Sequence, residues 1–73
     1  MPNTIAAERK RLGLSQEELG AKIGRSRTAI GRWEENPLIV SAEDLTKLVN
    51  LFGCSSDYLL GLTNERTPYA KVS

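Results

Sequence analysis

The chain has 73 residues, 40% of them hydrophobic, which is enough for one small domain with a small core. It contains no histidine and one cysteine, Cys54, so an internal disulfide is excluded and the commonest general base and metal ligand are missing. We therefore expect no cofactor, no metal and no enzymatic activity, and the cysteine content suits a cytoplasmic protein. No apolar run approaches membrane-spanning length, so neither a membrane partner nor a signal peptide is expected.

The net charge of +1 conceals an uneven distribution. Residues 1–33 carry seven basic and three acidic residues, a net +4, whereas residues 34–73 carry three basic and six acidic residues, a net −3. The asymmetry indicates one basic face and one acidic end, and by itself it is weak support for nucleic-acid binding.

Helix-start and helix-stop residues predict five short helices and no strand. Asn3 is expected to cap a first helix that runs to about Leu12 and stops at Gly13. Four serines are expected to cap the later helices, with an acidic residue at the capping-box position after two of them: Ser15 with Glu18, Ser26, Ser41 with Asp44, and Ser55. Gly24 and Gly53 end the second and fourth helices, and Asn36-Pro37 ends the third after Glu35.

Helices this short are not stable alone, so they must pack together into an all-α domain. We place this domain at residues 1–62. The tail, residues 63–73, is polar and contains Pro68, and it is expected to be ordered only where it docks.

The third helix has two contrasting faces when its residues are placed at about 100° intervals. Ala29, Ile30 and Trp33 share one arc and are predicted to face the core. The opposite arc has no acidic residue and consists of Arg27, Thr28, Gly31 and Arg32. Arginine can pair with guanine and threonine can contact thymine, so this face suits a DNA groove. A solvated polar face is the alternative interpretation.

The preceding segment favours DNA binding. Gly24 permits a sharp turn between the second and third helices, and Gly20 is small where the third helix is expected to press on the second. Two helices joined by a short glycine-containing turn form a helix-turn-helix.

The whole pattern resembles the phage Cro/repressor-type helix-turn-helix proteins, the XRE family. The resemblance covers residues 3–62 and rests on Gly13-Leu14-Ser15-Gln16-Glu17-Glu18-Leu19, Gly24, Ser26, Arg27, Ile30, Trp33-Glu34, Leu45, Leu48 and the stretch from Phe52 to Gly61. It implies a compact five-helix lambda-repressor-like DNA-binding domain that acts as a homodimer on a near-palindromic operator.

The resemblance also implies roles for individual residues. Arg27, Thr28 and Arg32 would read bases, whereas Gln16, Ser26 and Asn36 would lie at the DNA backbone. Gln16 could also brace the third helix. Arg9 and Glu34 would form a structural salt bridge between the first and third helices.

The sequence departs from the family pattern at several positions. Arg25 replaces an apolar residue, and we favour a phosphate contact over a partly buried stem with its head in solvent. Gly20 replaces Ala, and Glu8 weakens the core face of the first helix. The uncharged link, residues 36–40, replaces basic residues that usually contact phosphate. Residues 38–40 are expected to pack on the core, with a subunit interface as the alternative.

Several other residues have either two possible roles or a purely structural one. Lys10 and Arg11 suit phosphate contacts and a solvated helix face equally. Cys54 is expected to be buried and not redox-active. Tyr58, Leu59 and Leu60 suit the core or a dimer surface, and Tyr69 could clamp onto a partner.

These observations predict a sequence-specific, double-stranded-DNA-binding transcriptional regulator of repressor type, acting as a cytoplasmic homodimer without a small-molecule effector. Within the same class are a restriction–modification controller and an autoregulating antitoxin, although the tail is short for a toxin-binding domain. The alternative from another class is a protein-interaction module that has kept the fold and lost DNA binding.

Overall fold

A computed structural model describes residues 4–66 of the chain, and in this range it contains five α-helices, one 3-10 helix and no strand. In chain order the elements are α1 (Thr4–Arg11), α2 (Gln16–Ile23), α3 (Arg27–Glu35), the 3-10 helix η1 (Pro37–Ile39), α4 (Ala42–Phe52) and α5 (Ser56–Leu59). The predicted all-α, five-helix fold class is confirmed.

The four serines cap their helices as the sequence predicts. Each side chain accepts a hydrogen bond from a backbone N–H three residues later, and the donors belong to Glu18, Ala29, Asp44 and Tyr58. The carboxylate of Glu18 accepts in return from the Ser15 N–H at 2.8 Å, which completes a capping box and lowers the pKa of Glu18. Helix α1 ends at Arg11, one residue before the prediction, and the proposed cap Asn3 lies outside the described residues.

The core is built from one face of every α-helix. Its buried hydrophobic residues are Ile5, Leu19, Ile23, Ile30, Trp33, Leu48, Phe52, Cys54 and Leu59. Trp33 is only 7% exposed, so its predicted core position is confirmed. Cys54 is fully buried, and this burial raises the pKa of its thiol to about 11, so almost no reactive thiolate forms at neutral pH.

The link after α3 differs from the prediction. It forms η1, in which Leu38 is 68% exposed and Ile39 is 53% exposed, so these two side chains do not pack on the core as expected. Only Val40 of the predicted trio contacts the core. Pro37 begins this single turn, which carries both exposed side chains away from the core.

Glu8 is buried at 3% exposure, and its carboxylate holds two arginines. Arg11 donates through Nε at 2.9 Å, and Arg66 donates through Nε at 2.9 Å and through Nη2 at 2.7 Å. Both arginines also donate to the Phe52 carbonyl oxygen at 2.9 Å. The Arg66 hydrogen bonds are the main reason that the pKa of Glu8 lies below its ordinary value, although burial opposes them. Glu8, Arg11 and Arg66 are called the carboxylate cluster below.

The first residues of the predicted tail are docked on the domain. The Ser55 N–H donates to the Arg66 carbonyl at 2.9 Å, and the Ser55 hydroxyl donates to the Glu65 carbonyl at 3.1 Å. The contact places residues 63–66 beside α5 and the carboxylate cluster. Tyr69, considered above as a clamp, lies outside the described residues.

No helix within residues 4–66 has both the length and the apolar character that crossing a membrane would require.

Candidate nucleic-acid interface

Helices α2 and α3 are joined by a tight turn at Gly24–Ser26. Gly24 has φ +75°, a left-handed conformation that glycine adopts without strain, and its N–H donates to the Gly20 carbonyl. A Cβ at Gly20 would lie 2.3 Å from the carbonyl oxygen of Arg25 and 3.4 Å from the carbonyl carbon of Ser26. The absence of a side chain at Gly20 therefore allows another backbone segment to lie close to α2, as expected. That segment is the turn leading into α3 and not α3 itself.

The exposed arc of α3 carries the predicted base-reading residues. Arg27, Thr28 and Arg32 are exposed, and Gly31 between them is half-buried. Within residues 4–66, the guanidinium groups of Arg27 and Arg32 take part in no ion pair. These four residues form what we call the reading face, which presents two unneutralised guanidiniums, one hydroxyl and one methyl group to solvent.

Gly31 is not required by packing inside the protein. A Cβ at this position would meet only the amide nitrogen of Gln16, at 3.9 Å, which is an ordinary contact distance. The missing side chain thus leaves the middle of the reading face open to an external surface.

The structure brings Arg9, Gln16 and Glu34 together at the edge of the reading face. Arg9 Nε donates to Glu34 Oε2 at 2.6 Å, and Gln16 Nε2 donates to Glu34 Oε1 at 2.9 Å. Arg9 also donates to the Leu14 carbonyl at 2.8 Å. One carboxylate therefore ties α1 and the start of α2 to the end of α3, and the Gln16 amide is held beside the reading face.

A shallow depression lies where these side chains meet the reading face. It is lined by Arg9, Ser15, Gln16, Glu17 and Arg27. Its lining thus combines two guanidinium groups, those of Arg9 and Arg27, with one carboxylate, that of Glu17.

Arg25 occupies a position that neither sequence interpretation anticipated. Its Nε donates to both carboxylate oxygens of Asp44, each at 3.0 Å, so its head is paired with a carboxylate although the side chain is exposed. Asp44 is 4% exposed and also accepts from the Ser41 hydroxyl at 3.0 Å. Burial raises the pKa of Asp44, but the hydrogen bonds from Arg25 and Ser41 outweigh it and leave the pKa below its ordinary value.

Ser26 and Asn36, the other predicted backbone residues, stand at opposite ends of α3. The Ser26 oxygen accepts from the Ala29 N–H at 3.2 Å, and its hydroxyl hydrogen can still be donated outward. The side-chain amide oxygen Oδ1 of Asn36 accepts from the Leu38 N–H at 3.2 Å, so the role of this side chain within the protein is to begin η1.

Sequence reasoning missed Asp44 as a partner for Arg25. The only local signal was its capping-box position three residues after Ser41, and that signal concerns α4 alone. No group of three or more His, Cys, Asp or Glu residues within the described range could hold a metal ion.

Comparison with known proteins identifies a family and several relatives that this chain resembles. The sequence profile of the family described as Helix-turn-helix matches residues 5–59. The chain is 40% identical over 60 residues to Repressor protein C2 of Salmonella phage P22, and 35% identical over 60 residues to the uncharacterized HTH-type transcriptional regulator YobD of Bacillus subtilis. These matches cover 82% of this chain, but only 28% and 54% of the respective relatives.

Among solved structures, the chain is similar to the P22 c2 repressor crystallised in complex with synthetic operator 9T. The match has a TM-score of 0.75 and 38% sequence identity, and it covers 84% of this chain and 92% of the repressor chain. The fold is therefore that of DNA-binding repressors, a non-enzymatic group. The family profile spans most of the chain, and helices α2 and α3 form its central motif. The chain therefore belongs to the XRE-type helix-turn-helix family.

Proposed function

We propose that the protein is a sequence-specific transcriptional regulator of repressor type that inserts α3 into the major groove of an operator. The observation that carries the proposal is the reading face: two arginines without carboxylate partners stand on one side of a helix that is braced by the rest of the domain. Guanidinium groups pair bidentately with guanine in the major groove, and threonine can contact thymine.

The backbone contacts in this proposal surround the reading face. Gln16 offers its amide from one side, Ser26 offers its hydroxyl at the start of α3, and Asn36 lies at the far end. Arg25 belongs to the same set through its terminal nitrogens. Phosphate contacts of this kind fix the register of α3, whereas Arg27, Thr28 and Arg32 supply the sequence preference.

A dimer completes the proposal. A single helix-turn-helix unit buries a small interface with DNA, so specific affinity favours two units on half-sites about one helical turn apart. The relative crystallised with an operator supports DNA as the partner. We propose no small-molecule effector and a cytoplasmic location; because the chain spans only part of its curated relatives, these statements concern the described domain.

Selection of bound duplexes from a random DNA pool at two salt concentrations tests the proposal. We expect enrichment of an inverted repeat whose half-sites lie about one turn apart. Binding that is weak, unselective and abolished by salt would contradict sequence-specific regulation.

That negative outcome would favour the protein-interaction module instead. Two observations favour a protein-interaction module. The net charge is only +1, and Leu38 and Ile39 are exposed on an uncharged link. A restriction–modification controller or an antitoxin would still give the inverted repeat, and would be distinguished by the genes that flank the operator.

A further inference from the structure

Arg25 and Asp44 form an ion pair beside the reading face, between the turn before α3 and the first turn of α4. The backbone of Arg25 is fixed on α2, since its N–H donates to the Gly20 carbonyl at 2.8 Å. Its side chain reaches across to the first turn of α4, where Asp44 receives it. The residue therefore links three helices at the entrance to α3.

The pairing uses only one of the nitrogens of the guanidinium. Nε donates to both Asp44 oxygens at 3.0 Å, and within residues 4–66 the two terminal nitrogens of Arg25 make no hydrogen bond. The side chain of Arg25 is 42% exposed, whereas that of Asp44 is 6% exposed. The four N–H groups of the two terminal nitrogens are thus left for an external acceptor, while Nε is held by Asp44.

Asp44 itself is well held. Its backbone N–H donates to the Ser41 oxygen at 3.2 Å, and its Oδ2 accepts from the Ser41 hydroxyl at 3.0 Å. It also lies in the first turn of α4, where a carboxylate is favoured by the helix dipole. A carboxylate restrained in this way can orient an arginine without moving when an anion arrives.

We propose that Asp44 is a positioning residue that holds Arg25 with its terminal nitrogens directed at a DNA phosphate next to the start of α3. The proposal rests on the proposed function, which it deepens. A free arginine side chain loses rotational freedom when it binds phosphate, and this loss of entropy opposes binding. Here Asp44 has restricted that freedom in advance, which favours the charge-assisted contact.

The alternative role of Asp44 is simple neutralisation, and it predicts the opposite sign. If Asp44 only cancels the charge of Arg25, then Asp44→Asn should strengthen DNA binding and steepen its salt dependence. If Asp44 positions Arg25, the same change should weaken binding and flatten the salt dependence, because the released arginine contacts phosphate less often. Asparagine retains the size and hydrogen-bonding capacity that the Ser41 contacts need.

The test is a double-mutant cycle of Arg25→Ala and Asp44→Asn, read as dissociation constants for one fixed duplex of random sequence at several salt concentrations. We expect Arg25→Ala to reduce the slope of log affinity against log salt by about 0.9, the contribution of one phosphate. We expect Asp44→Asn to weaken binding about threefold or more with Arg25 present, and to leave it unchanged or stronger in the Arg25→Ala background. Lys22→Ala, which removes an exposed charge elsewhere on α2, is the matched control and should preserve the slope.

A second measurement uses only the wild-type protein, so it does not depend on whether the variants fold. In the intact wild-type protein, the Arg25 Nε–H resonance should keep its chemical shift when the same duplex is added, because Asp44 remains its acceptor. A large shift of that resonance, or stronger binding by Asp44→Asn, would overturn the positioning role. If the wild-type protein binds and Arg25→Ala has an unchanged slope, this inference and the phosphate contact of Arg25 fail, but DNA binding through α3 stands. If the wild-type protein binds no duplex, the proposed function fails as well.

Discussion

The reading face and the carboxylate cluster both contain two arginines, but within residues 4–66 only those of the cluster are ion-paired. On the reading face, Arg27 and Arg32 have no ion-pair partner within the described residues. In the carboxylate cluster, Arg11 and Arg66 share one buried carboxylate, that of Glu8, and one backbone carbonyl. The same side chain thus stabilises the fold at one site and is left for an external partner at the other.

The difference shows that counting basic residues is a poor guide to a DNA-binding surface. Arg9, Arg11 and Arg66 each have a carboxylate within hydrogen-bond distance, so only part of the basic charge is directly available to phosphate. A net charge of +1 is therefore compatible with a locally strong positive potential at α3. Four experiments test this contrast.

Glu8→Ala should have the largest effect, and it should act on stability. The change removes the carboxylate shared by Arg11 and Arg66 and leaves a void beside the core, which together should cost about 3 kcal/mol in free energy of unfolding. Chemical denaturation measures it. Glu17→Ala, a change at an exposed glutamate, should stay within about 0.5 kcal/mol. Equal losses in the two variants would refute a structural role for the cluster.

Arg27→Ala should act on binding alone. Loss of a base contact should weaken affinity for a selected operator by about 1–3 kcal/mol and relax the preference at one base position. Because Arg27 makes no ion pair within the described range, the unfolding free energy should hardly change. Titration of operator variants that differ at single positions measures both effects, and an equal loss of affinity on every sequence would mean that Arg27 contacts phosphate.

Acidification should affect the paired carboxylates. The pKa of Glu8 is lowered mainly by Arg66, and that of Asp44 is lowered by Arg25 and Ser41 against the opposing effect of burial. The unfolded chain therefore binds these protons at higher pH than the folded one, so the stabilisation is complete above about pH 5 and is lost as pH falls further. Thermal unfolding followed from about pH 7 to about pH 3 measures the loss. Glu8→Gln should flatten the profile, and an unflattened curve would assign the acid sensitivity to other groups.

Arg11→Ala should have the smallest effect and offers the closest comparison with Arg27→Ala. Both remove one guanidinium, but Arg11 is half-exposed and paired, so its loss should cost less than about 1 kcal/mol of stability. Operator affinity should not change. A clear loss of affinity in the salt titration would show that Arg11 contacts phosphate despite its pairing with Glu8.

Local sequence signals were sufficient for the helices and insufficient for the ion pairs. Each serine cap and the stops at Gly24 and Gly53 depend on residues within one turn, so they could be predicted. The Glu8–Arg66 and Arg25–Asp44 pairs join residues 58 and 19 positions apart, and no local rule specifies which acid meets which base. The same limit explains Leu38 and Ile39, because a three-residue turn has no periodicity from which burial could be inferred.

The docking of residues 63–66 has a practical consequence for fragments of this protein. The family profile ends at residue 59, and a fragment designed from that match would lack Arg66. Its Glu8 would then keep only Arg11 as a paired arginine, and the Phe52 carbonyl would lose one donor. Similarity to relatives therefore marks the shared motif, whereas a fragment that keeps both arginine partners of Glu8 extends through Arg66.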